Sequence, residues 1–179
     1  MKQLLILLCM ATSLYAISQT TINPDTVCSG ATAEQYFVTN TPTSTYQWTV
    51  NGGGSSIQTG QGTNLITVDW GTVAGLYSNA VEVVESNAAG CPGLPILLDV
   101  FILSLSSNLI GPFCPGDPSA SLVGNPIGGT WSGTGVTGNN FDPASGIGNY
   151  ILTYSLAGCT TTINVIVNSG PITGPIQHF

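Results

Sequence analysis

Glycine and proline interrupt this chain so often that helix has almost no room to form. Twenty-three glycines and eleven prolines are spread through 179 residues, and these are the two residues a helix interior tolerates least. No stretch carries apolar residues at a convincing helical period. Between the interruptions lie short runs rich in Val, Ile, Thr and Tyr, bounded by Gly, Asn and Pro, which read as strands. In the first half the pattern predicts strands at 34–39, 45–50, 65–70, 80–86 and 95–103. Alternation assigns faces: Tyr46, Trp48 and Val50 share one side of their strand, with Gln47 and Thr49 on the other. Ile66, Val68 and Trp70 likewise share a side. Residues 51–56, with three consecutive glycines, read as a flexible turn.

The second half repeats this style in less space, with strands expected at 119–123, 129–132, 149–154 and 160–167. The segment 133–140 is too glycine-rich for anything but a loop. In the last strand Thr161, Ile163, Val165 and Val167 fall on one face. Regular short strands with almost no helix predict an all-β chain of two tandem immunoglobulin-like β-sandwich modules. The segment 104–109 is the expected junction. The division is therefore a leader at 1–18, a module at 19–104, a second module at 105–168 and an extended tail at 169–179.

The leader reads as a secretory signal peptide. Lys2 supplies the positive end, residues 4–11 the apolar stretch, and small residues frame cleavage points after Ala16 or Ser18. The apolar run is shorter than a spanning helix needs. No later segment spans either, since 96–103 is of strand length and holds Asp99. The expected product is exported: outer-membrane-associated, at the cell surface or extracellular. Lys2 is the only Lys or Arg, so its removal with the leader takes the formal charge from −7 to −8 and leaves no cation to hold nucleic acid or an anionic membrane. Edge strands then lack lysine, the commonest guard against edge pairing. They must be blunted by proline or loops, or stand open to a partner strand.

Four cysteines follow the leader: Cys28, Cys91, Cys114 and Cys159. In an exported chain they read as disulfides, and four cysteines allow three connectivities. If the chain divides near residue 105, each half holds one pair, and Cys28–Cys91 with Cys114–Cys159 is the economical expectation.

Several motifs carry a family resemblance. Cys28-Ser29-Gly30, Tyr46-Gln47-Trp48, Ile66-Thr67-Val68-Asp69-Trp70-Gly71 and Gly90-Cys91-Pro92-Gly93 resemble PKD-like modules of Bacteroidota surface proteins. Phe113-Cys114-Pro115-Gly116-Asp117, the run from Gly128 to Val136, Phe141-Asp142-Pro143 and Gly158-Cys159 are similar to another repeat of the same proteins. Such repeats occur in large adhesins linked to gliding motility and type IX secretion. The resemblance implies a spacer or binding role, here as an adhesin-like or accessory subunit with a protein partner in the envelope or at the surface.

Catalytic chemistry finds little support. Nucleophilic catalysis needs a base held beside the nucleophile, and the only histidine, His178, is next to the last residue. Glu82 and Glu85 lie three apart on a strand and so point to opposite faces. No catalytic residue, cofactor or dedicated metal site is expected. Asp117 and Asp142, each before a proline, read as turn initiators rather than calcium ligands. Trp48 and Trp70 read as core. Trp131, between glycines, either packs on Phe141 or Tyr150 or stays exposed to stack on a sugar ring, the alternative function being a carbohydrate-binding module. In the tail, Ile172, Ile176 and Phe179 are candidate docking residues for an envelope partner, held extended by Pro171 and Pro175.

Overall fold

The structure, a computed structural model, describes residues 24–108, 110–172 and 174–178. The expected signal peptide and Phe179 lie outside the described residues. The chain divides between Ser104 and Leu105 into two units, each with its own apolar core.

Seven strands build the first unit: β1 (Asp25–Cys28), β2 (Glu34–Phe37), β3 (Thr45–Val50), β4 (Ser56–Thr59), β5 (Leu65–Asp69), β6 (Gly75–Ser86) and β7 (Ile96–Leu103). They form two sheets, ordered β1-β7-β6-β3 and β2-β5-β4. Only β1 pairs parallel, with Cys28 opposite Leu103 on β7. The alternation read from the sequence sets the inner faces. Tyr46 and Trp48 on β3, and Ile66 and Val68 on β5, are buried, while their neighbours are not. Full burial of an aliphatic side chain of this size contributes about 1.5–3 kcal/mol.

β6 breaks the alternation, because Ala80 and Val81 are both buried. The register with β7 shifts between Tyr77 and Val81, where a bulge places Asn79 in the left-handed region at φ 53. The Asp99 carboxylate accepts the Asn79 N–H at 2.7 Å and holds that bulge. The expected flexible turn at 51–56 is instead packed. A Cβ on Gly71 would fall 1.5 Å from the Gly53 carbonyl oxygen, and one on Gly52 would fall 2.2 Å from the Tyr77 ring. These glycines serve close approach rather than freedom.

The second unit adds β8 (Ser106–Ser107), β9 (Ala120–Ser121), β10 (Gly124–Asn125), β11 (Thr130–Ser132), β12 (Val136–Thr137), β13 (Asn140–Phe141), β14 (Gly148–Leu156) and β15 (Cys159–Val167). Their sheets are β11-β14-β15, β12-β13-β9 and the pair β10-β8. Segment 133–140 is therefore not merely a loop: β12 lies within it and pairs with β13 around a tight turn. Val165 and Val167 are buried on the predicted face of β15, with Thr161 and Ile163 half-buried. Phe141 packs against Tyr150 at 5.3 Å and Phe113 at 5.9 Å between ring centroids. The molecule is thus all-β, with two tandem sandwich modules.

The expected disulfide pairing is overturned. Cys114 carries a free, exposed thiol, which removes Cys114–Cys159. The sheet register removes Cys28–Cys91. Cys28 sits at the Leu103 end of β7, whereas Cys91 lies beyond its Ile96 end, beside Asn87. Seven residues of strand span about 23 Å, far more than the roughly 4.4–6.8 Å between α-carbons that a disulfide bridges. Cys28, Cys91 and Cys159 are nonetheless all disulfide-bonded.

Candidate interaction surfaces

Trp131 stands directly across from Tyr154 on the neighbouring strand, β14. Their ring centroids are 5.2 Å apart and the planes are inclined by 41°. Its sequence-predicted partners, Phe141 and Tyr150, pack on each other instead. The Tyr154 hydroxyl accepts the Gly129 N–H at 2.8 Å and donates to the Pro126 carbonyl. A Cβ on Gly124 or Gly129 would lie 2.3 or 2.5 Å from the Tyr154 ring, so both glycines let the backbone lie against it.

This arrangement leaves a groove of about 280 Å³. Buried Leu122, Trp131 and Tyr154 form its inner wall, and exposed Ser121, Ile127 and Asn139 its rim. Among the described residues lining it, Tyr154 alone is ionisable. Trp131 is just 8% exposed, so it supports the wall and offers no open stacking face. Sequence reasoning found Trp131 but missed Tyr154; the paired Gly128-Gly129 was the available signal for a backbone lying on a ring.

The acidic residues do local structural work. Asp117 accepts the Cys114 N–H at 2.7 Å and Asp142 the Ala144 N–H at 2.9 Å, as turn-forming carboxylates do. Asp69 accepts the Ala33 N–H at 2.8 Å. Asp25 accepts from the Tyr36 hydroxyl at 2.9 Å. Burial, with the adjacent Asp25 charge as the next cause, pushes the Tyr36 phenol above the ordinary tyrosine range. Among the described residues no three His, Cys, Asp or Glu side chains are grouped to hold a metal. His178 lies exposed in the tail.

Apolar side chains are exposed at several places in both units, including the following two. Phe37 and Leu65 pair across strands on the outer face of the first unit, both exposed. The tail leaves β15 at Asn168, and Ile172 and Ile176 there are fully exposed, at 99% and 101%. No described helix is long and apolar enough to cross a membrane.

Residues 14–96 match the family described as PKD-like domain, a span that contains β1 to β6 and ends at the first residue of β7. No curated protein matches the chain. Among solved structures, the chain is similar to domains 3–5 of the Drosophila OTK extracellular region, with 13% identity, coverage of 85% of this chain and 60% of that one, and a TM-score of 0.38. It is also similar to the I-band fragment I67–I69 of titin (13% identity, 82% and 62% coverage, TM-score 0.33). A third likeness is to the N-terminal four Ig domains of Dscam1 isoform 6.9 (15% identity, 84% and 45% coverage, TM-score 0.30). The chain spans about three fifths of the length of the OTK and titin chains. The PKD-like match thus covers the leader's end and most of the first module, and the second module is described by its all-β fold alone. PKD-like and Ig-like domains are commonly extracellular interaction modules and are typically non-catalytic. Disulfide-bonded cysteines fit an extracellular, oxidising setting.

Proposed function

We propose that this chain is a non-enzymatic, exported interaction protein that serves as an adhesin-like or accessory subunit of a Bacteroidota cell-surface apparatus of the gliding and type IX secretion kind. It is exported on its leader and held at the envelope by a protein partner. The observation that carries the reading is the tail. Ile172 and Ile176 are apolar, fully exposed and separated by Pro175, with Pro171 preceding them. Prolines limit the ordering entropy lost when such a segment docks. Exposed apolar side chains without a role in their own core are what a docking peptide presents.

Deleting residues 169–179 tests this. The expected outcome is unchanged thermal unfolding together with release of the protein from the envelope fraction into the medium. A large fall in melting temperature would assign the tail to the second module's own packing. Unchanged stability with unchanged location would remove the docking role.

A second reading, a carbohydrate-binding module, is favoured by one observation: the uncharged groove beside Trp131 with Asn139 and Ser121 on its rim. A glycan array distinguishes the two. Saturable binding lost in Asn139→Ala supports the groove, and an empty array dismisses it.

A further inference from the structure

β15 is the longest strand edge of the second unit, and its pairing is one-sided. β14 pairs with all nine of its residues along one side. On the other side β8 lies near the strand, but the described backbone hydrogen bonds are confined to the C-terminal end: the Phe113 N–H donates to the Ile166 carbonyl and the Asn168 N–H to the Phe113 carbonyl. Even-numbered residues of β15 therefore turn their backbone groups away from β14. Thr160, Thr162 and Asn164 present N–H and C=O outward with no hydrogen-bond partner among the described residues. One edge strand of the first unit, β3, is treated differently. The edge of β3 is closed by Gln61 and Gly62, whose amide and carbonyl groups take up the backbone of Trp48 and Tyr46. β15 has no proline, charge or bulge to blunt it.

We infer that β15 pairs with β15 of a second copy, antiparallel about a two-fold axis at Thr162. That register sets Thr162 against Thr162 of the other copy and Thr160 against Asn164. Each outward residue then meets another outward residue and exchanges both hydrogen bonds with it. The open segment, Thr160-Thr161-Thr162-Ile163-Asn164, is uncharged, and Thr–Thr is a favourable cross-strand pair. Charge argues for a second copy joined through this unit. Of the eight carboxylates only Asp117 and Asp142 lie after the division at Ser104, so two second units meet with little repulsion despite the acidic chain. The contact is isologous and β14 fills the opposite side of the strand, so pairing stops at a dimer and extends the three-stranded sheet β11-β14-β15 to six strands. An interface of a single strand edge is small, and its association is weak and concentration-dependent.

The test is sedimentation of the exported chain over a wide concentration range, with cross-linking to fix the register. The wild type should show a monomer–dimer equilibrium. Thr162→Pro, which removes an N–H that the monomer does not use, should weaken it by about tenfold or more. In a Cys114→Ser background, Thr162→Cys should form disulfide-linked dimers, because paired residues lie about 5.5 Å apart. Asn164→Cys should not, since its counterpart is displaced by four residues, about 13 Å along the strand. A wild-type chain that stays monomeric at its solubility limit overturns the inference and leaves the edge to a strand from another protein. So does a dimer indifferent to Thr162→Pro, or cross-linking through Asn164→Cys.

Discussion

The side-chain amide of Gln61 bonds both backbone groups of Trp48, accepting its N–H at 2.9 Å and donating to its carbonyl at 2.8 Å. One residue thereby acts as a missing strand on the open side of β3, and the Trp48 indole N–H completes the contact by donating to the Thr63 carbonyl at 2.7 Å. Gln61→Ala leaves both backbone groups of Trp48 without these partners and should cost about 1–3 kcal/mol. Gln61→Leu should not recover the loss, because shape without polarity does not replace the bonds. Denaturant unfolding followed by tryptophan fluorescence measures both. A Gln61→Leu variant as stable as wild type would show that packing, not edge closure, is what the residue supplies.

Tyr36 links the two sheets of the first unit, donating to Asp25 and accepting the Trp70 indole N–H at 3.2 Å. Its phenol is raised in the folded state, chiefly by burial. The unfolded chain therefore loses this proton first as pH rises, near the ordinary value of about 10. The associated stability is fully present below that pH and is lost progressively above it, as the unfolded state binds fewer protons than the folded one. Tyr36→Phe should lower stability at neutral pH, because the Trp70 donor loses its acceptor, yet flatten the alkaline limb. Equilibrium unfolding of both proteins from pH 7 to 11 decides it; parallel alkaline limbs would exclude Tyr36 as the source.

Glycines in this chain separate by what surrounds them. Gly71 has the Gly53 carbonyl oxygen where a Cβ would go, while Gly116 has nothing within 4 Å and no left-handed backbone requirement. Gly71→Ala must move backbone and should cost more than about 3 kcal/mol or prevent folding. Gly116→Ala should lie within about 0.5 kcal/mol of wild type. Melting temperatures of the pair test the contrast, and equal values would remove the packing role assigned to the glycine run.

This contrast explains where the sequence was legible. β3 and β5 follow from alternation, because burying one face of a strand writes itself as every second residue. Ala80 and Val81, both buried, do not, since the bulge at Asn79 depends on Asp99 twenty residues away. A glycine needed for close approach looks the same in sequence as one that lends freedom, so residues 52–54 read as flexible. β1 and β4 are absent from the expected strands. The cysteine pairing failed on topology. Assigning one bridge to each half presumes that partners within a half are near neighbours, whereas the parallel β1–β7 pair puts Cys28 and Cys91 at opposite ends of a sheet. The partner of Trp131 was equally hidden, because it is fixed by the register of β11 on β14.

The cysteines give a direct chemical check. Cys114 is exposed and free, whereas Cys28, Cys91 and Cys159 are disulfide-bonded. A maleimide added to the folded, unreduced chain should modify Cys114. Peptides for this must come from chymotrypsin, as trypsin finds no Lys or Arg beyond Lys2. Recovery of Cys114 in a disulfide-linked peptide with Cys159 would restore the pairing that the structure rejects.

Trp131 is where stability and ligand binding must be kept apart. It lies against Tyr154 in the core of the second unit, so Trp131→Ala removes a buried aromatic and should cost about 3–5 kcal/mol. Loss of glycan binding in that variant would therefore report unfolding as readily as a broken site. Asn139 and Ile127 stand on the rim of the same groove, with Ile127 84% exposed. Replacing either with Ala should leave stability within about 0.5 kcal/mol. If the groove holds a sugar, these two substitutions abolish binding in a protein that still melts like wild type. Binding that survives both while Trp131→Ala loses it together with the fold would assign Trp131 to structure and take the ligand elsewhere.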